Sequence, residues 1–229
     1  MAEKLAEALQ EELNVETAFT IPIFGGIDVA ESIVIMWVIM AILMVLTLVL
    51  TRGFVVRSPG KRQSAVEAFV VWIENLTKGM LGEEAAGYCY YISTVLIFIA
   101  LANMMGLFGV KPPTKDLNVT GAMAIMSIVI VQIAAIRKKG AKGWLKGFTQ
   151  PIAVVTPINI LELAIKPLSL CMRLFGNILG AFVIMELIKT VVPLVVPMVL
   201  GLYFDIFDAL IQAYVFCFLT SLYIKEALE

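Results

Sequence analysis

An arginine lies in the middle of an apolar segment in the last third of the chain. Between Lys166 and Glu186, Arg173 is the only charged residue. A guanidinium at the centre of a bilayer costs about 2.5–3.5 kcal/mol on insertion scales and roughly 10–17 kcal/mol in simulations of an isolated helix. Arginine cannot avoid this cost by losing its proton, because its pKa exceeds about 12. The pattern therefore indicates that the chain uses the charge of Arg173.

Other polar side chains lie at helical spacing near this arginine and in the apolar segment that follows it. Asn177 comes four residues after Arg173, so the two share a helix face. Asp205, Asp208 and Gln212 are spaced by three and four, and they predict one polar stripe on a returning helix. Carboxylates inside a membrane are costly unless they face water or a cation. The candidate ion-translocation residues are Arg173, Asn177, Glu186, Asp205, Asp208 and Gln212.

Two interpretations of these groups remain open from the residues alone. In the first, Arg173 forms a buried ion pair with Asp205 or Asp208 and joins two helices. Such a pair adds little net stability over apolar packing, and it leaves a second aspartate and Glu186 unexplained. In the second, two polar paths meet near Arg173, and Glu186, Asp205 and Asp208 line the outer one.

The second polar path would approach from the cytoplasm past Asn159, Glu162 and Ser169. Glu162 also lies four residues before Lys166, so the two side chains can simply form an ion pair at the interface. The sequence thus allows Glu162 either to line the polar path or to form an ion pair with Lys166.

Composition excludes several classes of protein. The chain has 229 residues, of which 61% are hydrophobic, whereas soluble domains are about 45–50% apolar. A net charge of −1 gives no basic surface for nucleic acid. The chain has no histidine, no phosphate-binding loop and no metal-ligand spacing, so we expect no metal, no cofactor and no catalysis by this chain alone.

Apolar runs predict an all-α integral membrane protein with about five to six membrane helices. The chain ends in a long tilted helical hairpin at 151–229, and we expect a single polytopic domain over 1–229. An interfacial amphipathic helix is predicted around Phe69, Trp72, Ile73, Leu76 and Met80. The predicted spans are Ile33–Leu50, Gly87–Val110, Val119–Ile136, Pro157–Thr190 and Leu200–Ile224.

Positive charge predicts the orientation of the chain. Nine of the 17 Lys and Arg residues follow the first and third spans, at 52–62 and 137–146. The positive-inside rule makes both loops cytoplasmic. The acidic segment 1–30, predicted as a short amphipathic stretch and a loop, is then external, and the C-terminus is cytoplasmic.

Three segments resemble a known family, the bacterial type of subunit a of F-type (rotary) ATP synthases. Lys166-Pro-Leu-Ser-Leu-Cys-Met-Arg-Leu-Phe-Gly-Asn177 is similar to the family's signature, and Ile211-Gln-Ala-Tyr-Val-Phe216 to its last-helix motif. Pro112-Pro-Thr-Lys-Asp-Leu-Asn118 is similar to its outer-loop motif. The resemblance extends from the first span to the C-terminus.

The resemblance implies a stator subunit of the plasma membrane that carries protons or Na⁺ through two offset half-channels. It implies as partners a ring of small hydrophobic hairpin subunits, peripheral-stalk b-type subunits and lipid. Arg173 matches the family's essential arginine, Asn177 and Gln212 match its polar neighbours, and Asp205 falls where relatives carry Glu or His.

The chain departs from the family pattern in the predicted outer path. Phe182 stands where His or Glu is frequent, Glu186 lies one turn further on, and Asp208 is an additional acid. The alternative function is a secondary transporter that binds an anionic substrate at Arg173, although no paired halves with matching broken helices are visible.

Overall fold

The computed structural model describes residues 17–21, 27–55, 60–108, 110–147, 156–191 and 195–228. It is a bundle of long helices preceded by a short hairpin. The strands are β1 (Thr17–Ile21) and β2 (Ile27–Ala30). The helices are α1 (Glu31–Thr51), α2 (Lys61–Leu81), α3 (Cys89–Met104), α4 (Leu117–Gly147), α5 (Thr156–Val191), α6 (Val195–Leu202) and α7 (Ala209–Leu228).

Five helical segments in the described part of the chain are long and apolar enough to cross a membrane. They are Glu31–Thr51, Ala86–Phe108, Leu117–Gly147, Thr156–Lys189 and Val199–Leu228. The prediction of an all-α membrane protein with five to six membrane helices is therefore confirmed, and each predicted span has a counterpart.

The prediction for residues 1–30 is wrong in one part. Where a loop was expected, β1 and β2 form an antiparallel pair, and the Thr20 hydroxyl donates to Asp28 Oδ1 at 2.6 Å. Thr17, Phe19, Thr20 and Ile21 are β-branched or aromatic residues, which are enriched in strands. The expected amphipathic stretch at the N-terminus lies outside the described residues.

The second basic segment is helical and is not a loop as expected. Helix α4 continues beyond its apolar part to Gly147. Its course changes at Gly140, whose φ of 72° lies in the left-handed region that glycine adopts without strain. Across this break, Trp144 Nε1 donates to Gln132 Oε1 at 2.8 Å. Gln132 thus bonds within its own helix.

Helix α2 is amphipathic in its packing. Ile73, Thr77 and Met80 are buried against α3 and α7, whereas Phe69 and Trp72 of the expected apolar stripe are exposed. Trp72 is 58% exposed. The exposed aromatic pair suits a membrane interface, and the interfacial position of α2 stays a prediction.

The core lies where α3, α4 and α7 pack together, and α5 joins it through Leu170, Cys171 and Leu174. Phe216 of α7 is its largest fully buried side chain. Because most other side chains of α5 remain outside this core, one long side of the helix is left uncovered.

The expected hairpin at the end of the chain is formed by α5 as one arm and by α6 and α7 as the returning arm. Helix α5 has 36 residues and runs unbroken through Pro167, so its length is about 54 Å at about 1.5 Å per residue. Pro197 lies in the first turn of α6, where a helix tolerates proline. Between α6 and α7, Tyr203–Asp208 forms a π-helical turn, a feature frequent at functional sites.

Candidate functional site

Arg173 lies close to the midpoint of α5, on its uncovered side. It is exposed, as are Met172 and Gly176 beside it on the helix. Within the part of the chain that the structure describes, Arg173 makes no hydrogen bond or ion pair. The buried pair with Asp205 or Asp208, the first of the two interpretations, is therefore not formed there.

The returning arm adds an uncovered apolar row beside this side of α5. The large apolar side chains that α7 exposes are Leu210, Ile211, Tyr214, Phe218 and Leu222. A soluble monomer rarely exposes so continuous an apolar surface. The arginine thus lies on an apolar surface that faces lipid or another membrane subunit.

One turn beyond Arg173, the two arms are joined by polar side chains. Asn177 Nδ2 donates to both carboxylate oxygens of Asp208, at 3.0 and 2.9 Å, and approaches Gln212 Oε1 at 3.2 Å. Gln212 is buried, and the other two are half-buried. Three of the predicted site residues are thus brought together across 31 to 35 residues of sequence.

Asp205 points away from this cluster, towards the end of α3. Its carboxylate fills the space beside Gly106, in the 3₁₀ turn Met105–Phe108. A Cβ atom on Gly106 would lie only 2.7 Å from Asp205 Oδ1. The π turn thus directs Asp205 towards α3 and Asp208 towards α5, although both belong to one predicted stripe.

Both aspartates line a cavity of about 320 Å³, which we call the aspartate cavity. Its lining includes Gly106, Lys115, Phe182, Asp205, Asp208 and Gln212. Asn103 also lines it. Asn103 Oδ1 accepts a 2.6 Å hydrogen bond from Thr114, whereas its buried Nδ2 has no protein partner among the described residues. Such a donor suits a water molecule.

Lys115 lies over Phe182, which stands where His or Glu is frequent in the family that the sequence resembles. Its Nζ lies 4.1 Å from the centroid of the Phe182 ring, a cation–π contact. Burial, and to a lesser degree the positive charge of Lys189, lowers the pKa of Lys115 to about 8 from its ordinary 10.5. Desolvation disfavours the charged ammonium, and a like charge adds to this effect.

Glu186 lies near the same end of α5. Its carboxylate is 3.5 Å from Lys189 Nζ, and Lys189 lines the aspartate cavity. The structure therefore sets Glu186 beside Lys189, at the end of α5 that borders the aspartate cavity.

A second cavity, of about 210 Å³, lies at the other end of the hairpin, and we call it the glutamate cavity. Asn159 and Glu162, two of the predicted residues of the second path, line it together with Lys166, Tyr223 and Glu226. Lys166 Nζ is 3.1 Å from Glu162 and 3.0 Å from Glu226. The expected Glu162–Lys166 pair therefore forms, and it forms at the wall of a cavity.

Ser169, the third predicted residue of this path, is half-buried one turn beyond Lys166 and is not part of that lining. Sequence reasoning missed Gly106, Lys115, Lys189 and Glu226. The only sequence signal for Lys115 was its place in the outer-loop motif, and the only signal for Glu226 was its charge near the end of an apolar segment.

The fold and the site define a class: a multi-pass membrane protein with polar groups and cavities between its apolar helices. A family model described as ATP synthase A chain matches residues 33–225. The ATP synthase subunit a of Moorella thermoacetica is 35% identical over 205 residues, which are 88% of this chain and 92% of that relative. The chain belongs to the ATP synthase A chain family, whose members are membrane components of the ATP synthase complex.

Proposed function

We propose that this chain is the ion-conducting stator subunit of the synthase, in which the two cavities serve as separate half-channels. The observation that carries the proposal is the placement of Arg173. It is a permanent cation, exposed and without a partner among the described residues, on an apolar surface between two polar cavities.

Arg173 would act on a carboxylate of the ring subunit that passes it. At about 4 Å and an effective dielectric constant near 20, opposite charges attract by about 4 kcal/mol. Since one pKa unit corresponds to about 1.36 kcal/mol, this attraction would lower the ring carboxylate's pKa by roughly three units. The ring therefore releases its ion as it approaches Arg173.

The same charge would keep the two half-channels separate. A cation that moves directly between the cavities must pass the guanidinium, which repels it. Lysine is a poorer choice, because a buried lysine can lose its proton and with it the barrier.

In this proposal the aspartate cavity opens to the outside and the glutamate cavity to the cytoplasm. The support is the distribution of positive charge. Arg137 and Lys138 follow the apolar part of α4, at the end of the bundle where the glutamate cavity lies. Lys138 also pairs with Glu84, in the loop between α2 and α3, at 3.1 Å. Positive-inside orientation then sets the C-terminus in the cytoplasm, in a plasma membrane.

Asp205, Asp208, Asn177 and Gln212 would conduct the ion on the outer side, with Glu186 near the opening. Asn159, Glu162 and Ser169 would line the cytoplasmic side. Residues 1–229 would form one polytopic domain with an external segment 1–30 and the ion path within 151–229. The partners would be the ring of hairpin subunits, b-type stalk subunits and lipid.

The structure does not favour the alternative, an anion-binding transporter. Arg173, the residue expected to bind the anion, is not among the residues that line either cavity. The arginine therefore has no enclosed site in which to hold a substrate.

The test is ion-driven ATP synthesis by the whole complex in vesicles, first with a proton gradient and then with a sodium gradient. Arg173→Ala should assemble normally and lose coupled synthesis. Met172→Ala, at the neighbouring exposed position, is the matched control and should retain it. Normal synthesis by Arg173→Ala would overturn the proposal.

A further inference from the structure

The end of α4 folds back beside the residues that precede it. Trp144 Nε1 donates to Gln132 Oε1 at 2.8 Å, although the two residues are 12 positions apart. In a continuous helix this separation would be about 18 Å, which is more than the two side chains can bridge. The positive φ of Gly140 lies between them and changes the course of the chain. Residues 141–147, which we call the fold-back segment, therefore run back along α4.

The fold-back sets Trp144 at the level where α4 leaves the membrane. About 20 residues cross the hydrocarbon core, and α4 has that many before Arg137, its first charged residue. Gln132 precedes Arg137 by little more than one helical turn, so the indole bonded to it lies near the boundary between lipid and water. Tryptophan is enriched at this boundary, where its ring meets apolar groups and its N–H finds a polar partner.

The fold-back segment and the turn before it carry exposed positive charge. Arg137, Lys139 and Lys142 are exposed, and none of the three makes a hydrogen bond or an ion pair with a residue that the structure describes. The sequence from 140 to 161 contains no acidic residue. Leu145 is 65% exposed. The segment therefore presents cations and an apolar side chain at the same boundary.

Two of these cations lie away from the glutamate cavity. Lys139 lines that cavity together with Glu162 and Glu226, which are anions of the protein itself. Arg137 and Lys142 are not among the lining residues. An anion that pairs with these two must therefore come from outside the described part of the chain.

We propose that the fold-back segment binds anionic phospholipid of the surrounding leaflet, with Arg137 and Lys142 on the phosphate groups and Leu145 among the acyl chains. Clusters of Lys and Arg directly beside a membrane helix attract anionic lipid, and salt weakens this attraction. The hydrogen bond between Trp144 and Gln132 favours lipid over an acidic protein partner, because it holds the segment at the depth of the headgroups. A class of lipid and a site are thereby assigned to the membrane contact, independently of ion conduction.

The experiment measures the fluorescence of Trp144 in the full chain, reconstituted in phosphatidylcholine vesicles. The chain has three tryptophans, so Trp37→Phe with Trp72→Phe leaves Trp144 alone. Brominated lipids quench a tryptophan that they touch. At the same mole fraction, brominated phosphatidylglycerol should quench Trp144 roughly fivefold more effectively than brominated phosphatidylcholine, and high salt should remove most of this preference.

Arg137→Gln with Lys142→Gln should lose the preference for phosphatidylglycerol and keep the quenching by phosphatidylcholine, because Trp144 stays bonded to Gln132. Lys61→Gln, which removes an exposed cation at the start of α2, is the matched control and should keep the preference. If the two phenylalanine substitutions prevent folding, the same quenching is measured as the difference between the wild type and Trp144→Phe.

Equal quenching by the two lipids, or an unchanged preference in the double glutamine variant, would overturn the proposal. Weak quenching by both lipids would place Trp144 away from the membrane and would overturn it as well. None of these measurements depends on ATP synthesis, so the lipid site and the stator function succeed or fail separately.

Discussion

Gly106 and Asp205 fit together so closely that a side chain at position 106 would displace the Asp205 carboxylate. A Cβ atom at Gly106 would approach Asp205 Oδ1 to 2.7 Å and Cγ to 3.1 Å, distances that ordinary Cβ atoms do not reach. The glycine therefore makes room for the carboxylate between the end of α3 and the π turn. The two residues are a steric pair 99 positions apart in sequence.

Gly106→Ala should displace the Asp205 carboxylate and slow ion uptake several-fold, because a misplaced group transfers a proton less effectively. The measurement is proton-driven ATP synthesis by the assembled complex. Gly79→Ala in α2, where a Cβ meets nothing within 4 Å, is the control and should leave the rate unchanged. If the alanine acts only through Asp205, it should have little further effect in an Asp205→Asn background.

Asp205→Asn should slow ion uptake more than Asp208→Asn. Asp208 is held on both oxygens by Asn177, whereas Asp205 lies beside Gly106 in the lining of the aspartate cavity. Rates of ion flow in vesicles measure this order. Equal rates in the two variants would contradict it.

Asn177→Ala should destabilise the hairpin by about 1–2 kcal/mol, because Asp208 would lose two charge-assisted hydrogen bonds at a half-buried site. The measurement is thermal unfolding of the purified protein in detergent. A double-mutant cycle with Asp208→Asn isolates the pair, and we expect a coupling energy of about 1 kcal/mol. A coupling near zero would show that the contact contributes nothing to stability.

Lys115 should titrate near pH 8 in the folded protein. Its pKa lies below the ordinary value, so between about 8 and 10.5 the folded chain holds the neutral amine while the unfolded chain still binds the proton. Stability from this group therefore rises with pH across that window. The direct measurement is the pH dependence of labelling by an amine-specific reagent. A midpoint at the ordinary lysine value would contradict the burial argument.

The membrane helices could be predicted from the sequence because a long apolar segment in lipid must satisfy its backbone hydrogen bonds internally, as a helix does. Sequence reasoning failed where a single residue changes the backbone. Gly140 redirects α4 through a positive φ, and the β1–β2 hairpin depends on pairing between segments too short to carry a strong pattern.

The same distinction holds for the candidate site: single charged residues could be predicted, and contacts between distant residues could not. Arg173 and the aspartates were visible as charges in apolar segments. The contacts of Lys115 with Phe182 and of Gly106 with Asp205 join residues far apart in sequence, so no local pattern predicts them. The sequence around Gly106 also gives no sign that an acidic side chain fills the space beside it.

The π turn at Tyr203–Asp208 has a consequence for how this hairpin can vary between relatives. A π turn holds about one residue more than an α-helical turn. Because the wide turn takes up the extra residue, deleting one residue there would restore an ordinary helical turn and leave α6 and α7 in phase with their neighbours. Asp205 and Asp208 would then return to the single stripe that helical spacing predicts, and they would no longer point to different helices. The segment is thus a point at which a one-residue insertion or deletion would redirect the two aspartates and spare the helices on either side.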